Sequence, residues 1–241
     1  VRSGRGYCRV LTALVGGGLS RSSGVTYDTS GSQSWSSVAA LDSSTAFLCY
    51  HGSYYGRAYC RKMDLAYPMY SSTLAPSFSG SALTFNSAAS KYVGVSAFDS
   101  TYAVVCYEDD GGNDYVECKV LYVTSSGGLY GGTARQVTSY SSEYVSVSAL
   151  DASTAAVCWR RASSPYGGDC ARLSRTGSSL TVSATSSLTS SSTSYVSVAA
   201  LDAQTVVVCY ARGYSAGQSR CQRLWTGGVG IAEGDVGYLS V

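Results

Sequence analysis

Apolar residues come in short runs of four to six, rich in Val and Tyr and punctuated by Ser-Gly or Gly-Gly. No stretch carries a sustained helical period, so the pattern predicts strands joined by turns and almost no helix. Four segments superpose without a gap: Trp35 to Tyr50, Tyr92 to Tyr107, Tyr144 to Trp159 and Tyr195 to Tyr210. In each, an aromatic residue stands seven positions before an Asp (Asp42, Asp99, Asp151, Asp202). A Cys stands seven positions after that Asp and is followed at once by a second aromatic. The period is just over fifty residues, slightly longer than the blades of common four-stranded propellers.

Each repeat divides into four apolar pieces. The third shows them as Tyr144 to Leu150, Thr154 to Trp159, Asp169 to Leu173 and Ser179 to Ser183. They read as strands a to d of an antiparallel meander. Strand a, with Ser, Gly and Ala beside Val, suits a crowded central axis, and the Asp of the a–b turn suits a carboxylate that accepts from backbone N–H groups two residues on. An open stack of meanders would expose sheet edges, and radial closure protects them. The expected fold is therefore all-β, a five-bladed β-propeller in one domain over 1–241, with one disulfide inside each complete blade. Residues 1–34 would end one blade, 35–91, 92–143, 144–194 and 195–237 would be repeats, and 238–241 would open the next or closing blade. The sequence would then be a piece of a longer chain, and a six- or seven-bladed ring is the alternative.

Nine Cys form four regular pairs and a remainder. The pairs are Cys49 with Cys60, Cys106 with Cys118, Cys158 with Cys170 and Cys209 with Cys221, each closing a b–c hairpin. A hairpin brings such residues within disulfide reach, with Cα atoms roughly 5.5 Å apart. Zinc is disfavoured because the chain has one His and the pairs lie in different blades. Oxidised pairs predict an extracellular protein, secreted or on a cell surface. Cys8 is left over, its partner either upstream of Val1 or absent. Val1 to Gly6 lack the apolar segment of a signal peptide, so a secreted protein would have had its leader removed or would carry it outside this sequence.

Charged residues make up 13% of the chain and the net charge is +2. That is far from the basic stripe of a nucleic-acid binder, and no apolar run is long enough for membrane insertion. No catalytic constellation, cofactor motif or metal motif emerges, so the chain reads as a non-enzyme. His51 reads as an ordinary loop residue and the four repeated aspartates as turn formers. The run from Glu108 to Asp114 reads as a solvated hairpin rather than a calcium loop. No N-glycosylation sequon is present.

Recognition is expected on the side of the d–a and b–c loops, because the b–c loops differ between repeats while the a–b turns do not. The candidate ligand-binding residues are Tyr54, Tyr55, Arg57, Asp109, Asp110, Tyr115, Arg160, Arg161, Tyr166, Arg212, Tyr214 and Gln218. Tyr faces among charged and amide groups suit sugars, whose C–H faces stack on rings while their hydroxyls hydrogen-bond. Trp35, Tyr92, Tyr144 and Tyr195 enter strand a on the same side and read as packing between blades, with sugar stacking as the other reading.

The repeat pattern resembles repeat-built propeller lectins of the tachylectin-2 type, which have five blades of similar length and bind amino sugars between blades. The motif Ala-Leu-Asp-x-Ser-Thr-Ala-Val-Val-Cys-Tyr, seen as Ala149 to Trp159 and Ala200 to Tyr210, is similar to repeats in large secreted or surface proteins of algae and other protists. The paired cysteines depart from the tachylectin pattern. The partners so implied are glycans or glycoproteins. The other reading is a structural module whose partners are neighbouring protein subunits of a surface assembly.

Overall fold

The structure, a computed structural model, describes residues 5–14, 17–29, 33–52, 56–66, 75–213, 219–227 and, for the backbone, 232–239. Every regular element within them is a strand. The chain opens with β1 (Gly6–Cys8), β2 (Leu11–Ala13), β3 (Leu19–Arg21) and β4 (Val25–Asp28), β1 pairing with β4 and β2 with β3. Four meanders follow. The first holds β5 (Gln33–Ala40), β6 (Thr45–Gly52), β7 (Ala58–Ala66), β8 (Ala75–Phe78) and β9 (Leu83–Asn86). The second holds β10 (Ser90–Ala97), β11 (Tyr102–Asp109), β12 (Tyr115–Val123), β13 (Leu129–Gly131) and β14 (Arg135–Gln136). The third holds β15 (Ser142–Ala149), β16 (Thr154–Arg161), β17 (Gly168–Thr176), β18 (Ser179–Val182) and β19 (Ser186–Thr189). The fourth holds β20 (Thr193–Asp202), β21 (Thr205–Arg212), β22 (Ser219–Trp225) and β23 (Ala232–Leu239).

All pairings are antiparallel, in the order a, b, c, d. In the first three meanders strand d is split in two, so that β7, for example, pairs with both β8 and β9. A serine makes the break in the third: the Ser183 N–H donates to the Arg172 carbonyl at 2.9 Å, and its Oγ accepts from the Arg172 N–H at 3.0 Å. Ser22 does the same to Val10, at 2.9 Å in both directions. The four opening strands thus form two antiparallel pairs arranged like strands c and d of a meander, termed the half sheet below. Tyr238 and Leu239, expected to open a further inner strand, instead pair with Arg220 and Ser219 as part of strand d. A Tyr followed by alternating apolar and polar residues fits either strand. Residues 240–241 lie outside the described residues.

The core lies between sheets. Tyr27 of β4 packs with Leu48 and Tyr50 of β6, Phe47 of β6 with Val105 of β11, Val104 of β11 with Val157 of β16, and Ala156 of β16 with Val206 of β21. Strand b contributes to both neighbouring layers, which is why it reads as an unbroken apolar run such as Ala103-Val104-Val105-Cys106. The two sheet boundaries at the start of the chain share a hydrogen bond. Arg61 Nη1 donates to the Tyr27 carbonyl at 2.9 Å, and Lys119 Nζ, at the equivalent place one repeat on, donates to the Phe85 carbonyl at 2.6 Å.

Successive a strands lie side by side, joined by a serine ladder. Ser37 Oγ accepts from the Val95 N–H at 3.1 Å, Ser96 from Ala149 at 2.9 Å, Ser146 from Val198 at 3.1 Å and Ser148 from Ala200 at 2.9 Å. These serines occupy two repeat positions. Gly94 holds the first of them in the second meander, and a Cβ there would lie 3.6 Å from Val147 N. Gly94→Ser is expected to supply the missing bond and to restrict the unfolded chain, raising stability by about 1 kcal/mol. A lowered midpoint in urea would count against the ladder.

The four disulfides expected from the sequence are present. Their Cα atoms are 4.0–4.1 Å apart, closer than expected, because the cysteines face each other directly with the spacing of a non-hydrogen-bonded pair. Cys8 is unpaired and half-buried, and burial raises its thiol pKa. The repeated aspartates cap their turns as expected: Asp42 accepts from Ser44 N at 2.6 Å, Asp99 from Thr101 N at 2.8 Å, Asp151 from Ser153 N at 2.7 Å and Asp202 from Gln204 N at 2.8 Å.

Candidate functional site on the b–c loop face

The end of each strand a nearest the b–c loops carries a bulge. Pairing steps from Ser34↔His51 to Ser37↔Cys49, so that Trp35 and Ser36 together oppose Tyr50. The same slip places Tyr92 and Val93 opposite Tyr107, Tyr144 and Val145 opposite Trp159, and Tyr195 and Val196 opposite Tyr210. The first bulge residue is left-handed every time: φ is 46° at Trp35, 50° at Tyr92, 53° at Tyr144 and 54° at Tyr195. Glycine is the usual occupant of that position, and a bulky side chain there costs about 1–3 kcal/mol.

The bulge separates two sets of aromatics. Tyr50, Tyr107, Trp159 and Tyr210 on strand b are buried in the layers between sheets. The bulge aromatics instead touch one another across sheet boundaries, with centroids 5.7 Å apart for Trp35–Tyr92, 4.9 Å for Tyr92–Tyr144 and 5.1 Å for Tyr144–Tyr195. They do meet between sheets, as expected, but as an arc whose ends are open to solvent. Trp35 is 40% exposed and Tyr195 72%.

Immediately before each bulge, a cross-strand pair holds one geometry with changing chemistry. It is Ser34 with His51, hydrogen-bonded at 3.0 Å; Lys91 with Glu108, at 3.6 Å; Glu143 with Arg160, at 2.9 Å; and Ser194 with Ala211. His51 thus lies in β6 rather than in a loop, edge-on to Trp35 at 5.6 Å. Carboxylate oxygens of Glu108, Asp110 and Asp114 lie within 4.8 Å of one another. The Lys91 ammonium reaches both Asp110 and Glu108 and supplies the positive charge there.

Burial pushes the Glu108 carboxyl up to about 8; Lys91 opposes the shift, and Asp114, Asp110 and Glu143 add to it. A carboxyl whose folded pKa lies above its unfolded value stabilises the fold when protonated, and that contribution fades as pH climbs from about 4.5 to about 8. Glu108→Gln should therefore flatten the fall in melting temperature between pH 5 and pH 8 and be the more stable form at pH 8. Parallel melting curves for the two proteins would contradict this environment.

A cleft of about 480 Å³ opens between the half sheet and the first meander. It is lined by Tyr27, Tyr50, Tyr59, Arg61 and Asp28, with Tyr27 and Tyr50 4.8 Å apart and Tyr50 and Tyr59 5.8 Å apart. Rings, a guanidinium and a carboxylate meet there at a sheet boundary. Two further pockets, one beside Cys8 and Val38 and one beside Arg135 and Leu180, have different linings.

Of the residues expected to bind ligand, Tyr54, Tyr55, Tyr214 and Gln218 lie outside the described residues. Arg57 is exposed, and Tyr115 is half-buried at the start of β12. Several others are engaged internally. Asp109 accepts from Asn86 Nδ2 at 2.8 Å, Asp110 pairs with Lys91, and Arg212 donates to Ser191 Oγ at 2.9 Å. Arg160 is buried against Glu143 and lies over the rings of Tyr144 (5.6 Å) and Tyr166 (5.0 Å). Arg161 grips the buried Asp169 through two bonds of 2.5 and 2.6 Å. The expectation missed Lys91, Glu108 and Glu143, and all of the cleft. The signal for Lys91 and Glu143 was present, since the residue before each repeated aromatic changes from Ser34 to Lys91 to Glu143 to Ser194. No helix among the described residues is long and apolar enough to cross a membrane. No protein-family model and no curated protein matches this chain.

Proposed function

We propose that the chain is a non-enzymatic, extracellular glycan-binding module: a five-bladed propeller of four complete blades and one half blade, acting through its b–c loop face. The cleft of Tyr27, Tyr50, Tyr59, Arg61 and Asp28 carries this reading. The half-buried Tyr59 ring can take the C–H face of a sugar while the guanidinium and carboxylate bond its hydroxyls, the buried Tyr27 and Tyr50 forming the apolar wall. The shared hydrogen bond to the Tyr27 and Phe85 carbonyls supports treating the half sheet as one more blade. The four disulfides support an oxidising compartment.

A second reading, a packing module of a surface assembly, is favoured by the exposed Tyr7, Leu11, Leu14 and Leu19 on and beside the strands of the half sheet. A glycan array probed with the intact, oxidised protein separates the two. Binding to one sugar class, weakened by Tyr59→Ala, supports glycan recognition. Uniform silence favours assembly.

A further inference from the structure

We infer that the arc of Trp35, Tyr92, Tyr144 and Tyr195 is itself a binding platform for a neutral oligosaccharide, distinct from the cleft. The inference rests on the glycan-binding reading and goes beyond it by naming a second surface and its ligand class.

Three observations lead there. The first is conformational: four bulky residues hold φ between 46° and 54°, where glycine would be free of strain. Backbone strain that recurs at the same place in every repeat needs a reason, and bulges next to sites serve to re-aim a side chain. The second is the contrast within each repeat. The aromatic opposite the bulge is buried and fills the layer between sheets, so the core already has its ring. The bulge aromatics meet their counterparts along the arc; Tyr92 and Tyr144 also rest against the core layers, whereas Trp35 and Tyr195 at its ends are exposed.

The third observation sets the ligand class. The polar groups adjoining the rings are engaged with one another: Lys91 with Glu108 and Asp110, Glu143 with Arg160, and Ser34 with His51. They offer donors and acceptors for hydroxyl groups, and the carboxyls of Glu108, Asp110 and Asp114 around the one Lys91 ammonium leave no surplus positive charge for an anionic ligand. Tilted rings, at 56°, 47° and 52° to their neighbours, present faces in several directions rather than one flat sheet. A chain of sugar units, apolar on the C–H faces and hydroxylated at the edges, matches that alternation. Its pairs differ from repeat to repeat, so they would set which unit lies at each ring.

The test uses the oligosaccharide that binds the intact protein best on a glycan array, titrated calorimetrically against Trp35→Gly, Tyr195→Gly, Tyr195→Asn and Tyr59→Ala. Glycine removes the ring and accepts the left-handed backbone; Asn tolerates it and guards against a folding defect in the Gly variant. The expected result is at least a tenfold loss of affinity in the Trp35 and Tyr195 variants, with melting temperatures equal to or above that of the parent. Arc variants that bind like the parent while Tyr59→Ala does not would overturn the platform and leave the glycan reading intact. A lowered melting temperature in both Tyr195 variants, with unchanged affinity, would make the arc a packing element and also overturn it. A parent protein silent on every glycan, or bound only by charged ones, removes the platform, and silence removes the general reading as well.

Discussion

Asp169→Ala should destabilise the fold by about 3 kcal/mol, at the lower end of the range for removing one partner of a buried charge pair. Asp169 has no exposed surface, opens strand c of the third meander, and is the acceptor for three donors. Arg161 supplies Nε and Nη2 at 2.6 and 2.5 Å, and the Tyr140 hydroxyl donates at 2.6 Å. The Trp159 indole N–H in turn reaches the Tyr140 oxygen at 3.3 Å. Removing the carboxylate leaves a guanidinium, a phenol and the ring behind them without their common partner. Arg161 keeps about a third of its side-chain surface and can turn towards solvent, which is why the lower end applies. Asp169→Asn should fall between variant and parent, since it keeps the volume and one acceptor oxygen. The same carboxylate explains Tyr140, whose hydroxyl burial pushes up to about 12, with the bond to Asp169 adding to the shift. Loss of the Asp169 side chain should bring that titration down, readable by ultraviolet absorbance. A chemical denaturation midpoint that does not move in Asp169→Ala would contradict the network.

Replacing Cys158 and Cys170 together by Ser should cost a similar amount, about 3 kcal/mol. The bridge closes a loop of twelve residues, and closing a loop of that size removes about that much freedom from the unfolded chain. Both sulfurs are buried, so two hydroxyls would also be placed in an apolar layer with Val206 and Leu188. The effect should be local to the third meander and its neighbours. Amide exchange in β16 and β17 should accelerate more than in β11 and β12, whose own bridge is retained. Uniform acceleration across all sheets would indicate instead that the bridges act on a single cooperative unit.

The sequence was informative where residue identity and spacing were forced. Four cysteine pairs at the two ends of b–c hairpins, and an Asp two residues ahead of each turn's N–H, left little freedom in strands a to c. Strand d was harder to read, because its pieces are short and differ in composition, and a serine bond such as Ser183 to Arg172 divides it without an apolar signature. The bulges were hidden for another reason. Tyr144-Val145-Ser146-Val147 looks like plain alternation, and nothing in residue type announces φ of 53° at a tyrosine. Loop variability singled out residues by identity and not by what already holds them. Arg160, Arg161 and Asp109 looked like free recognition groups and are engaged with Glu143, Asp169 and Asn86. The cleft needed Tyr27 and Tyr59 to be brought together across a sheet boundary, which no local spacing reveals.

The most direct test of the account is a crystal structure of the oxidised protein with the array-selected oligosaccharide bound. The account predicts sugar density on the b–c loop face, against Tyr59 and Arg61 or along the rings from Trp35 to Tyr195. Density confined to the opposite face, beside the turns of Asp42, Asp99, Asp151 and Asp202, would contradict it.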